Sequence, residues 1–250
     1  MDYHFVVYDP SGNVTVLVTD PVPVEEQANV AARLLSQVPD AEQVGFLSEA
    51  DGCDISLRMA GGEFCGNAAM SAAAYQASRS GLTEGSVLVR VSGAPEPLPV
   101  SLITQDDGSV RGTLSMPRPL SVREELFPDG KARPVIRFPG IAHVLLEEAP
   151  DREAAEALAP QWCAHLGAEA VGLLFFDREA SRMTPLVYVP DAGTLCWESA
   201  CGSGTAAVGA FLAQENGAPV RVSLEQPGGT LTVTASPDGP LTLSGTVKQK

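Results

Sequence analysis

Residues 61–69 read Gly-Gly-Glu-Phe-Cys-Gly-Asn-Ala-Ala, and residues 199–206 read Ser-Ala-Cys-Gly-Ser-Gly-Thr-Ala. Each holds a Cys-Gly-polar triplet, Cys65-Gly66-Asn67 and Cys201-Gly202-Ser203. Behind each lies a run of small residues, Ala68–Ser78 and Thr205–Gln214, whose alanines predict a helix. The spacing is 201 − 65 = 136 residues in a chain of 250. An echo at a little over half the length predicts two pseudo-repeated domains, each presenting one Cys at the start of its helix.

That position has chemistry of its own. A helix start exposes N–H groups with no intrahelical partner, at the positive end of the macrodipole. A thiolate is stabilised there, and so is a bound carboxylate such as that of an amino acid. Glycine after each Cys allows close approach of a ligand to the backbone. Two such helices facing one carboxylate would place a sulfur on each side of the same Cα. One sulfur takes a proton and the other returns one, which is what a two-base racemase requires. A single buried Cys at a helix start is ordinarily a small hydrophobe; the matched second copy argues otherwise. A metal reading is weak, because the five Cys include no C-x-x-C pair.

Working outward, Tyr3–Tyr8 and Asn13–Val18 read as a hairpin around Pro10-Ser11-Gly12. Val24–Gln37 has helical spacing. Strands are expected at Val44–Leu47, Ile55–Met59, Ser86–Val91, Leu98–Thr104 and Ser109–Met116. Pro117–Pro134, with four prolines, reads as the connection between halves. Strands follow at Val135–Phe138 and His143–Glu147, then a helix over Arg152–Leu166 that Pro160 should kink or break. Val171–Phe176, Leu186–Val189, Val220–Leu224, Thr230–Ala235 and Leu241–Val247 complete the strands. Many strands and one Ala-rich helix per half give an α+β class.

Composition narrows the function. Sixteen Lys and Arg against 31 Asp and Glu leave a net charge of −15, which disfavours nucleic acid and anionic membranes as partners. Hydrophobic residues make up 44% and charged residues 19%, a globular balance with no apolar run of membrane-spanning length. Met1-Asp2-Tyr3-His4 has no basic or apolar leader character, and an odd number of Cys suits a reducing compartment. A cytoplasmic protein is expected.

The two Cys-Gly segments resemble the paired signatures of the cofactor-independent amino-acid racemases and epimerases, which include diaminopimelate epimerase and proline racemase. Within them the chain is most like the histidine racemases of staphylopine-type metallophore biosynthesis. Asp9-Pro10-Ser11-Gly12-Asn13, Glu42-Gln43-Val44-Gly45-Phe46, Pro185-Leu186-Val187-Tyr188-Val189-Pro190, Trp197-Glu198 and Gln226-Pro227-Gly228-Gly229 extend the likeness across most of the chain.

The resemblance implies a fold of two pseudo-symmetric domains, each a curved, mostly antiparallel sheet wrapped around a central helix. Residues 1–116 would form the first, completed by the C-terminal strand 241–250, and 117–240 the second, with the active site in the cleft between them. It implies a small amino-acid substrate, no cofactor, no metal and a homodimer. Cys65 and Cys201 would be the acid/base thiols. Gly66, Asn67, Gly202 and Ser203 would cradle the carboxylate through their N–H groups. Asn13 would line the pocket, and Glu42 and Glu198 would contact the substrate's amine or ring. Diaminopimelate epimerase carries Glu-Arg-Gly before its second Cys. Trp197-Glu198-Ser199-Ala200 is shorter and lacks the Arg that would pair a distal carboxylate. That points to a neutral or cationic side chain, with histidine interconverted between its L and D forms. Trp197, Tyr188 and Phe46 could stack on an imidazole, or simply pack the core. His143 and His165 read as structural. Two rivals remain: a non-racemising isomerase of the phenazine type, which does not need both thiols, and a non-catalytic amino-acid-binding protein.

Overall fold

The computed structural model describes residues 3–191 and 193–250. The chain divides into two compact units, 1–115 with 244–250, and 116–243. Among the described residues no helix is long and apolar enough to cross a membrane.

The first unit opens with a hairpin, β1 (Phe5–Pro10) and β2 (Thr15–Val18). Helix α1 (Val24–Gln37) leads to β3 (Gln43–Ser48), which lies parallel to β2. β4 (Ile55–Met59), helix α2 (Gly66–Ser80), β5 (Glu84–Val91), β6 (Leu98–Thr104) and β7 (Val110–Ser115) follow. The strand order is β1-β2-β3-β4-β5-β6-β7-β16, and the final strand β16 (Leu241–Gln249) returns to β1, so the sheet closes on itself. Closure leaves no open edge. α1 lays Val30, Ala31 and Leu34 on Val16, Val18, Val44 and Phe46. Burying the valine, leucine and phenylalanine side chains among these stabilises by about 1.5–3 kcal/mol each.

The second unit repeats the plan. β8 (Ser121–Leu126), β9 (Ala132–Phe138) and β10 (Ile141–Leu146) precede helix α3 (Arg152–Leu166). Then come β11 (Val171–Asp177), β12 (Arg182–Val189), β13 (Thr194–Trp197), helix α4 (Gly202–Asn216), β14 (Val220–Gln226) and β15 (Gly229–Ala235). β9–β10 is antiparallel, β10–β11 parallel, β11–β12 antiparallel, β12–β14 parallel and β14–β15 antiparallel. β1–β2, β2–β3, β3–β4, β4–β5 and β5–β6 show the same alternation.

The small-residue helices are central. α2 packs on β1, β2, β4, β5, β6 and β7, and α4 on β8, β9, β10, β14 and β15. Such a helix buries mostly small side chains on all sides. Ala68, Ala69, Met70, Ala72, Ala73, Ala74 and Ala77 are buried on α2. Alanine and glycine let the sheet approach closely: a Cβ on Gly209 would stand 2.5 Å from Val233 Cγ2. Both helices end on a left-handed glycine, Gly81 at φ 70° and Gly217 at φ 61°.

Two expectations are corrected. Pro117–Pro134 is not one long connection, since β8 and the start of β9 occupy it. β8 terminates the strand order, where proline and charge are tolerated. Helix α3 runs from Arg152 to Leu166 without a break at Pro160. Ala155, Ala159, Trp162, Cys163 and Leu166 are buried on both sides of the proline and hold the two halves to the same sheet. β13 had no prior signal: it is four residues long and mostly exposed.

Candidate active site: two thiols at two helix starts

Cys65 is the N-cap of α2. Its backbone is extended, and its sulfur accepts the Ala68 N–H at 3.4 Å. Cys201 is the N-cap of α4, accepting the Gly204 N–H at 3.4 Å. A small polar acceptor at this position normally starts a helix; here sulfur takes that place twice. Gly66 and Asn67, and Gly202 and Ser203, are the first two residues of their helices, so their N–H groups have no intrahelical carbonyl to bond.

Around Cys65 the first unit builds a directed amide network. Asn13, buried in the β1–β2 connection, donates through Nδ2 to Glu42 Oε2 at 2.6 Å. Its Oδ1 therefore faces the other way and accepts from Gln43 Nε2 at 2.6 Å and Asn67 Nδ2 at 3.2 Å. Gln43 Nε2 also reaches Thr15 Oγ1 at 2.7 Å. With its nitrogen fixed, Gln43 turns Oε1 to the Cys65 thiol, which donates to it at 3.2 Å. Asn13, Glu42, Asn67 and Cys65 thus lie together. Gln43 and Thr15 join them unforeseen, although Gln43 lies beside the glutamate already singled out.

Cys201 is buried, 4% exposed. Burial pushes its thiol well above the usual range. The Glu198 carboxylate adds to this by its charge and by accepting the thiol proton, while Ser203 and the Gly204 N–H pull the other way. Glu198 therefore bears on the cysteine. Gln226 on β14 accepts the Cys201 N–H through Oε1 at 2.8 Å and donates through Nε2 to Thr205 Oγ1 at 2.9 Å. Thr205 donates to the Cys201 carbonyl at 2.7 Å. Gln226 and Thr205 were not foreseen as holding the cysteine; their nearest signal was the Gln226-Pro227-Gly228-Gly229 segment.

The three aromatics singled out as able to stack on a ring substrate each pack against a core. Phe46 lies in the α1 core. Tyr188 and Trp197 pack on the α3 core, and Trp197 stacks on Phe175 at 5.7 Å. The Trp197 indole N–H donates to Glu156 at 2.7 Å, and Arg152 lies 4.6 Å from its ring centre. His165 meets the Leu126 carbonyl at 2.9 Å, a structural role.

His143 is fully buried, and burial alone lowers its pKa from 6.5 to about 3. The unfolded chain takes up this proton below about 6.5 and the native chain does not until about 3. The stability from keeping the ring neutral is thus complete above 6.5 and declines as pH falls towards 3. The decline is about 1.4 kcal/mol per pH unit. Urea unfolding at pH 7 and pH 5 should show the wild type losing about 2 kcal/mol more than His143→Gln. Equal losses would mean that the ring is not held neutral.

Among the described residues no group of three or more His, Cys, Asp or Glu is arranged to hold a metal ion. The chain matches the family described as "Histidine racemase CntK N-terminal domain" over residues 2–248. It is 32% identical to a histidine racemase of Staphylococcus aureus, covering 92% of this chain and 88% of that one. Among solved structures it is similar to a Pseudomonas aeruginosa protein described as a predicted epimerase. The TM-score is 0.74 at 17% identity, covering 100% of this chain and 97% of that one. It is also similar to a phenazine biosynthesis protein of the PhzF family from Bacillus anthracis. There the TM-score is 0.72 at 16% identity, with 100% and 97% covered. At such identities the two structures speak for the fold alone.

Proposed function

We propose a mechanism from one premise: this chain belongs to the histidine racemase family. It interconverts L- and D-histidine, with Cys65 and Cys201 as the acid/base pair. The observation that carries this is the repeated N-cap sulfur, each cysteine heading a buried helix with a glycine behind it. The first-turn N–H groups of Gly66, Asn67, Gly202 and Ser203 would bind the substrate carboxylate. That binding withdraws charge from Cα and stabilises the carbanion formed when its proton leaves. One thiolate takes the proton from one face and the opposite thiol delivers another, so the configuration inverts and the sulfurs exchange roles. No cofactor is needed in this scheme. Asn13, Glu42 and Glu198 complete the site, and Glu42 or Glu198 would receive the substrate's amine or imidazole N–H. A cytoplasmic homodimer serving metallophore biosynthesis completes the reading; the resemblance supports it.

Proton NMR of L-histidine with the reduced protein in D2O tests the proposal. The Cα–H signal should disappear as D-histidine forms. Loss of signal for another amino acid alone would keep the mechanism and overturn the substrate. No exchange with any amino acid, with free thiols, would favour the binding-protein reading.

A further inference from the structure

His143 and Ser203 lie behind Cys201 in a single file. His143 Nε2 is 3.0 Å from Ser203 Oγ, and Ser203 Oγ is 3.5 Å from Cys201 Sγ. The other ring nitrogen, Nδ1, is buried and has no hydrogen-bond partner among the described residues. It faces Gly172, directly opposite on β11, where any Cβ would collide with it. The ring is thus seated by the absence of a side chain at Gly172, with the Phe138 ring edge-on to it and the two ring centres 6.2 Å apart.

This arrangement selects a tautomer. A proton on Nδ1 would leave a buried N–H aimed at the Gly172 methylene, with no acceptor among the described residues. A proton on Nε2 leaves only a bare lone pair there. Orphaned buried donors are the rarer of the two defects. The Nε2–H tautomer makes Ser203 Oγ an acceptor, so the hydroxyl proton is left for the neighbouring sulfur. We propose that His143 is a positioning residue acting through Ser203: its Nε2–H fixes the Ser203 hydroxyl so that the O–H donates to Cys201 Sγ. This rests on the two-thiol reading and extends it.

The consequence is local. Burial and Glu198 oppose a thiolate at Cys201, and the Gly204 N–H and the Ser203 hydroxyl favour one. Gln226 from β14 holds the Cys201 backbone N–H. Ser203 is the partner whose direction can reverse, because a hydroxyl both donates and accepts. Facing an unassisted rotor, a neutral thiol could donate to it and leave the thiolate unsupported. With His143 behind it, the hydroxyl is preset for the charged state. Proton removal by Cys201 then requires no rearrangement of its neighbour.

The test is a titration of thiolate ultraviolet absorbance, taken as the difference between each protein and its Cys201→Ser partner. Ser203→Ala and His143→Phe should raise the Cys201 midpoint by about one to two pH units, the usual weight of a hydrogen bond to a charged group. Ser203→Thr and His143→Gln, which keep a hydroxyl and an N–H at about the same places, should restore it. Racemisation by Ser203→Ala should fall about tenfold at neutral pH, equally for L- and D-histidine, and recover as pH rises. If His143→Phe fails to fold, His143→Leu takes its place, and an unchanged midpoint in a folded His143 variant that lacks the ring N–H overturns the role of His143. An unchanged midpoint in Ser203→Ala overturns the positioning role, and so does a shifted midpoint that Ser203→Thr does not correct. Full racemisation by Cys201→Ser would instead overturn the two-thiol reading, a separate outcome from either.

Discussion

Cys65→Ala and Cys201→Ala are each expected to lose racemisation of histidine by a factor of about a thousand or more, the scale of a positioned acid/base group. That corresponds to about 4 kcal/mol of transition-state stabilisation. The losses should have opposite stereochemical signatures. With one sulfur gone, the remaining one can still remove the proton that faces it and return a solvent deuteron to the same face. One variant should therefore wash deuterium into L-histidine with retention, and the other into D-histidine. Chiral chromatography of histidine recovered from D2O, with mass analysis, separates the two. In the proposed two-thiol mechanism the sulfurs act as a unit, so the double variant should be no slower at racemisation than the slower single one. A single variant that racemises at the wild-type rate would remove its cysteine from the mechanism. Exchange into the same enantiomer by both variants would remove the opposed geometry.

The parts of this site that sequence could reveal are those set by local chain chemistry. Cys65-Gly66-Asn67 and Cys201-Gly202-Ser203 announce helix starts because capping is decided within a few residues. The helices behind them were readable from alanine, and α1 from the spacing of Val30, Leu34 and Leu35, of which Val30 and Leu34 are buried and Leu35 only partly so. The supports of the cysteines were not readable, since they arrive through strand register. Gln43 meets Cys65 because β3 pairs with β2, Thr15 opposite Gln43. Gln226 meets Cys201 because β14 ends beside α4. Glycine and glutamine at such places look ordinary until the sheet is formed. The same limit explains Trp197, whose indole could equally have faced a ligand; only the position of Glu156 on α3 shows where its N–H goes. Pro160 failed as a signal for a related reason. Tertiary burial at Ala159, Trp162 and Cys163 outweighed a local preference to break.

Gly93→Ala should be the most damaging methyl group that can be added to the first unit. Gly93 lies in the turn after β5 with φ 73°, a conformation that non-glycine residues adopt at a cost of about 1–3 kcal/mol. A Cβ there would stand 2.5 Å from Phe64 N and 2.9 Å from the Glu63 carbonyl carbon. These are backbone atoms and cannot rotate aside. The neighbouring Ser92 already fastens the same loop, donating to the Glu63 carbonyl at 2.8 Å and accepting the Met59 N–H at 2.9 Å. Residues 63 and 64 lead directly into the Cys65 cap, so a push on them is a push on the sulfur. Strain and displacement together should lower stability by about 3 kcal/mol, a fall in melting temperature of about 10 °C. Below that melting point the folded variant should still turn over about a hundredfold more slowly, since a misplacement of about 1 Å has that effect on an aligned reaction. Calorimetry and racemisation assays on the same sample separate the two losses. The Cys201 thiolate titration should be unchanged, because that cap is built from residues of the second unit. A Gly93→Ala protein with wild-type melting and turnover would show that the turn does not set the position of Cys65. The sulfur would then be held by α2 and the Gln43 amide alone.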